Sequence, residues 1–216
     1  MKTLIALLAL GAATAVSAQS DIPPPQAVPD ISGVEAWTYI KPNVDLAKYD
    51  RLLIRPTSVS DNPAANFGDI SAEDQAKFAS LVTDALTSEL PMSFKTVQSG
   101  GARTLAIQVT ILGAKKTTGG VATATRLLPI GLATNAFKSL EGKSGTLTGS
   151  LLVEVEFTDS SSGDLLAAAV RRRTPDALDV KATLSTTDTV AAVSRDLAKA
   201  IREKLISAGM PTSTNP

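Results

Sequence analysis

The 216-residue chain contains no cysteine and no histidine. Without cysteine there is no disulfide, no thiolate nucleophile and no acyl anchor carried on an N-terminal cysteine. Without histidine, Ser-His-Asp and Cys-His mechanisms are excluded, along with zinc, copper and haem sites built on imidazole or thiolate. What remains open is the chemistry of carboxylates, lysine, tyrosine and hydroxyls, and metals held by oxygen. An excess of one charge is lacking too, since 21 basic side chains stand against 21 acidic ones. That balance argues against broad electrostatic binding of nucleic acid or anionic lipid. Beyond the N-terminus, no apolar run reaches the roughly 18 residues of a membrane-crossing helix, so the mature chain is expected to have no transmembrane span.

What is present begins with "MKTLIALLALGAATAVSAQS". Lys2, a short apolar stretch and the small residues Ser17 and Ala18 have the order of a cleavable secretory signal. Residues 1–18 are therefore expected to be removed near Ala18, which leaves an exported protein, periplasmic or secreted. The next segment, "QSDIPPPQAVPDISG", carries four prolines and reads as part of a flexible spacer over 19–35. A domain without disulfides must stand on its core, and about 180 residues are enough for one. A single domain is expected over 36–210, with a frayed tail over 211–216.

Within that domain, "AWTYIKP" reads as a short edge strand and "YDRLLIRPTSV" as a strand with Leu52 and Ile54 on one face. Ser71 with Asp74 three positions on resembles a capping box, and Phe78, Leu81, Val82, Ala85, Leu86 and Leu90 repeat at helical spacing up to Pro91. The segment "FKTVQ" is a further short strand candidate. Strict alternation follows in "TLAIQVTIL" and in "SLLVEVEFTDS", with Leu151, Val153, Val155 and Phe157 on the apolar side. The turn "DSSSG" joins the latter to "DLLAAAVRRRT" as a hairpin. A last stripe of Val190, Val193, Leu197, Ile201 and Leu205 ends at Gly209 and Pro211. The expected fold is α+β: a two-layer sandwich of a mainly antiparallel sheet with two amphipathic helices on one face.

The segments "YDRLLIRP", "SAEDQAKFASLVTDAL", "TLAIQVTI" and "GSLLVEVEFTDSSSGDLLAA", in that order and followed by the closing helix, resemble a bacterial family of unknown function, domain-of-unknown-function family 3313. The likeness runs over roughly Trp37 to Ile206 and rests on order and spacing, not on one motif. Members look like envelope proteins, many with a lipoprotein signal. This chain departs from them in having no cysteine after its signal, so no lipid anchor is implied. The family brings no catalytic residue, cofactor or metal ligand to carry over, and the residues themselves assign none.

Three constellations could carry chemistry or binding. Glu154 and Glu156 share one strand face, with Asp159 at its end, and could hold a cation or serve acid–base work, or be a solvated sheet face. Arg171, Arg172 and Arg173 end the last strand; alternation sends Arg171 and Arg173 one way, where they could pair across the hairpin with Glu154 and Glu156 or hold a phosphate. Neither Lys115-Lys116 before "TTGG" nor "GKSGTLTG" meets the phosphate-loop spacing. The third is the excursion of almost thirty residues between two strands, long for a connection. Its Leu127, Leu128, Ile130, Leu132 and Phe137 form either a lid on the core or an interaction surface for self-association or an envelope protein partner. The sequence thus points to a non-catalytic binding or assembly module. A carrier of small apolar ligands and a carboxylate-dependent enzyme with an oxygen-ligated metal stand as alternatives.

Overall fold

The computed structural model describes residues 26–29, 35–62, 65, 67–115, 149–174 and 185–213. The expected signal over 1–18 and the apolar residues Leu127, Leu128, Ile130, Leu132 and Phe137 lie outside the described residues.

Two helices are built where apolar spacing and caps coincide. The first, α1, spans Ala72–Glu89, and the Ser71 hydroxyl accepts from the Asp74 amide at 3.1 Å. Pro91 ends it through a short 3-10 turn at Leu90–Met92. The second, α2, spans Thr186–Ser207, where Ser185 repeats the same cap on Asp188 at 3.1 Å. Gly209, at φ +87, takes the left-handed conformation that ends it.

Among the described residues, eight strands form one sheet: β1 (Gln26–Pro29), β2 (Glu35–Ile40), β3 (Arg51–Ile54), β4 (Ser58–Val59), β5 (Thr96–Val97), β6 (Thr104–Lys115), β7 (Ser150–Asp159) and β8 (Leu165–Arg173). Their order is β1-β2-β8-β7-β6-β3-β5, with β4 also on β6. Pairing is antiparallel from β1 through β6 and parallel among β3, β4, β5 and β6. The architecture is α+β, and the sheet is mixed. The reason is local: α1 lies between β3 and β6 in the chain and returns it to the same end of the sheet, which makes the neighbours parallel.

Both helices pack with one face of the sheet. Leu52, Leu105, Ile107, Val109, Ile111, Leu151, Val153 and Val155 share a core with Phe78, Val82 and Leu86 of α1 and Val193, Leu197 and Ile201 of α2. Each large side chain buried there stabilises the fold by roughly 1.5–3 kcal/mol. Between the helices, Arg202 meets Glu89 at 2.7 Å.

Two boundaries differ from the sequence expectation. Gln26–Pro29, inside the segment expected to be spacer, pairs with β2 as the sheet's edge strand. Proline is tolerated at a sheet edge because its missing N–H need not serve an inner neighbour. That leaves β2 as an inner strand, not an edge. At the other terminus the expected frayed tail is pinned as far as Ser213, whose amide donates to the Ser93 carbonyl at 2.8 Å.

Candidate functional site

Strand alternation gives the sheet a second face, turned away from the helices. From β7 it receives Leu152, Glu154, Glu156 and Thr158. Register places Thr110 and Gln108 of β6 opposite Glu154 and Glu156, and Val170 and Ala168 of β8 opposite the same two. Tyr39 of β2 stands opposite Ala168. Leu112, Leu152, Ala168 and Val170 form a second apolar cluster there, with Tyr39 and Leu165 against it. Among the described residues, no helix belongs to this cluster.

Glu154 and Glu156 both lie on this second face. Glu154 is only 7% exposed, so this is not a simple wet face. Its carboxylate makes no hydrogen bond or ion pair with a described residue. Burial first, and then the neighbouring Glu156 charge, push its pKa up to about 7. Burial also raises Glu156, while the Arg55 charge pulls it back.

The expected grouping of Glu154 and Glu156 with Arg171 and Arg173 is corrected by the register. Arg171 stands opposite Val153 and Arg173 opposite Leu151, both on the helix side. A bulge at the turn end of the hairpin is responsible. Thr158 pairs with Leu165, but Phe157 pairs with Ala167, so Leu166 is an extra residue in β8. One such residue slips the register and moves every side chain beyond it to the other face. Arg171 instead donates to the Thr38 hydroxyl at 2.7 Å, and the Arg173 Nε is buried with no hydrogen-bond partner among the described residues. The arginine that does share the glutamates' face is Arg172, which donates to the Ser150 hydroxyl at 3.3 Å. Burial lowers its pKa.

Asp159 does not join the pair. It anchors the hairpin turn, accepting from the Ser161 hydroxyl at 2.6 Å and from the amides of Ser161 and Ser162 at 2.9 and 3.2 Å. The buried Tyr49 hydroxyl donates to it at 2.8 Å. These donors, the Ser161 hydroxyl foremost, hold its carboxyl well below the usual carboxylate range. Burial, and then the bond to Asp159, push the Tyr49 phenol above the ordinary tyrosine range.

Gln108, Thr110 and Arg172 complete the face and were not among the candidate site residues. Alternation in "TLAIQVTIL" already turned the first two outward. The parity of the arginines was hidden by the bulge. Among the described residues, no cluster of three or more acidic side chains is placed to hold a metal ion, and no helix is long and apolar enough to cross a membrane.

A family model described as a protein of unknown function, DUF3313, matches residues 29–201. No curated protein matches the chain. Among solved structures, the chain is similar to the PelC dodecamer from Paraburkholderia phytofirmans, with 12% identity, a TM-score of 0.35, and 82% of this chain and 98% of that one covered. It is also similar to a Xanthomonas campestris protein of family DUF330, at 9% identity and a TM-score of 0.38, covering 79% of this chain and 91% of that one. A neuraminyllactose-binding hemagglutinin homologue from Helicobacter pylori follows at 12% identity and 0.27, covering 77% and 83%.

Proposed function

The chain belongs to the DUF3313 family, and from that premise we propose that it is a non-catalytic binding or assembly module of the bacterial envelope. In this reading it is exported by the segment 1–18, cut near Ala18, and acts in the periplasm or outside the cell. It engages a protein partner or a second copy of itself through the sheet face that carries Glu154 and Glu156.

One observation supports the reading above the others. A sheet needs one apolar face to fold against its helices, and here that need is met by the cluster shared with α1 and α2. The second cluster, around Leu152 and Val170, goes beyond it and surrounds carboxylates that no described cation pairs. Its apolar members are buried, as the apolar centre of an interface is once covered, and a few polar groups converge on them. The apolar residues 127–137, read from the sequence as either a lid on the core or an interaction surface, enter the chain between β6 and β7 and are proposed as part of the same module.

The test is fractionation of the native host, following the processed protein and a Thr110→Arg variant that sets a long cation at the centre of the face. Thr110 is half-buried, and a thermal melt of the purified variant confirms that it folds. The wild type is expected in a large complex or with membranes, and the folded variant free. A wild type that is monomeric and freely soluble ends the assembly reading. So does a folded variant that stays in the complex. Mass spectrometry of the same sample, with Gln19 expected as the first residue, tests the export step.

A further inference from the structure

We propose that Glu154 is a proton-operated latch on the second apolar cluster: protonated, it lets Leu112, Leu152, Ala168 and Val170 stay packed, and ionised, it opens them to water. The inference says when this face opens, and it stands whether or not a partner meets it there.

It follows from what lies around the carboxyl. Glu154 is 7% exposed and makes no hydrogen bond or ion pair with a described residue. Along β7 its neighbours on this face are Leu152, a member of the cluster, and Glu156, a like charge. On β8 it faces Val170, with Ala168 beside it, and Arg172 is bonded to Ser150. On β2, Tyr39 packs with the cluster. On β6 it faces Thr110, whose hydroxyl shares a hydrogen bond with that of Ser58 at 3.0 Å. Beside Thr110, the Gln108 amide donates to the Pro56 and Val109 carbonyls at 3.0 and 2.9 Å. From just beyond β3, the exposed Arg55 acts on Glu156.

A carboxyl so placed is tolerated as the neutral acid and penalised as the anion. Once ionised it must regain water, and its polar neighbours on β6 already hold partners. The side that yields is the apolar one. This cluster is separate from the core that the helices share, and among the described residues no helix belongs to it. It can therefore part locally while the helix face stays closed. The closed state holds a proton that the open state releases. Opening thus grows as pH rises from 4.5 to about 7 and levels off above, a gain of roughly a hundredfold.

The experiment uses the processed chain with carbon-13 methyl labels and a soluble nitroxide, which broadens the methyl signals that water reaches. Spectra are compared at about pH 5 and about pH 9, two units either side of the Glu154 midpoint. At the lower pH the methyls of Leu112, Leu152 and Val170 are expected to be as shielded as those of Leu105 and Val193 in the helix-side core. At the higher pH their broadening is expected to rise roughly tenfold or more, while Leu105 and Val193 stay shielded. Glu154→Gln keeps the shape and removes the proton, so its cluster should stay shielded at both. In the wild type the Glu154 carboxyl carbon should titrate with a midpoint of about 7. A wild-type cluster that stays shielded at the higher pH overturns the proposal, as does a Glu154 midpoint at the ordinary glutamate value. So does exposure that appears equally in Glu154→Gln, or that spreads to Leu105 and Val193, since neither is a local effect of this charge.

Discussion

Replacing Glu154 by glutamine should make the protein more stable, and only above a defined pH. The ordinary glutamate value is 4.5, and in the fold Glu154 is pushed up to about 7. The folded state therefore holds its proton where the unfolded chain has lost it. Between those two values the native state binds more protons, so stability falls as pH rises, and the loss is complete above about 7. At about 1.36 kcal/mol for each tenfold change in proton affinity, the penalty at alkaline pH approaches about 3 kcal/mol as an upper bound. Glutamine has the same shape and no charge to desolvate. Urea unfolding of both proteins from about pH 4 to about pH 9 should give coincident curves at the acid end. The midpoints should then separate as pH rises, by up to about 3 kcal/mol with unchanged slope in denaturant. A difference independent of pH would refute the reasoning. So would a variant less stable than wild type at about pH 9, since no charge penalty would then exist to remove.

Asp159 sets the opposite limb. Its carboxyl is held below the ordinary range by Ser161, Ser162 and Tyr49, so its contribution is present above 3.8 and lost as pH falls below it. Asp159→Asn and Tyr49→Phe should each cost about 1–2 kcal/mol near neutral pH by urea unfolding, with the asparagine effect fading in acid. Spectrophotometric titration should show the Tyr49 phenol ionising above the ordinary tyrosine range. At Gly100 an added Cβ would collide with the Ser160 hydroxyl. Gly100→Ala should cost about 1 kcal/mol in thermal or urea melts, since the Ser160 hydroxyl must leave its rotamer, and Ser160→Ala should remove that cost in the double variant.

The helices were legible because two signals agreed: Ser71 and Ser185 at the caps, and apolar residues at helical spacing behind them. The strands β6, β7 and β8 were legible from alternation, and the β7–β8 turn from "DSSSG". The α+β class followed. The parallel half of the sheet did not, because β4 and β5 are two residues long each and exist only through distant partners. β1 was hidden by Pro29 and the three prolines that precede the strand in the sequence, which together read as spacer until an edge position is available. At the site, alternation sets Glu154 and Glu156 on one face, while the faces of Arg171 and Arg173 depend on Leu166, a single extra residue with no mark in the sequence. Burial of Glu154 was equally silent, since a carboxylate two places from another reads as solvated until its neighbours on β6 and β8 are known.

The pairing of β2 with β8 sets the order in which the protein can assemble. Trp37 meets Val170 and Ile40 meets Ala167, contacts that span most of the chain. Closing so long a loop carries an entropy cost that local contacts do not, and it slows folding. The β7–β8 hairpin, by contrast, needs only the turn at Asp159–Asp164. A nascent chain has made β2 long before β8 exists, so Trp37–Ile40 wait without their partner. Removing residues up to Ile40 would therefore leave the hairpin and both helices their own contacts, and would expose the outer backbone groups of β8 to any strand that arrives.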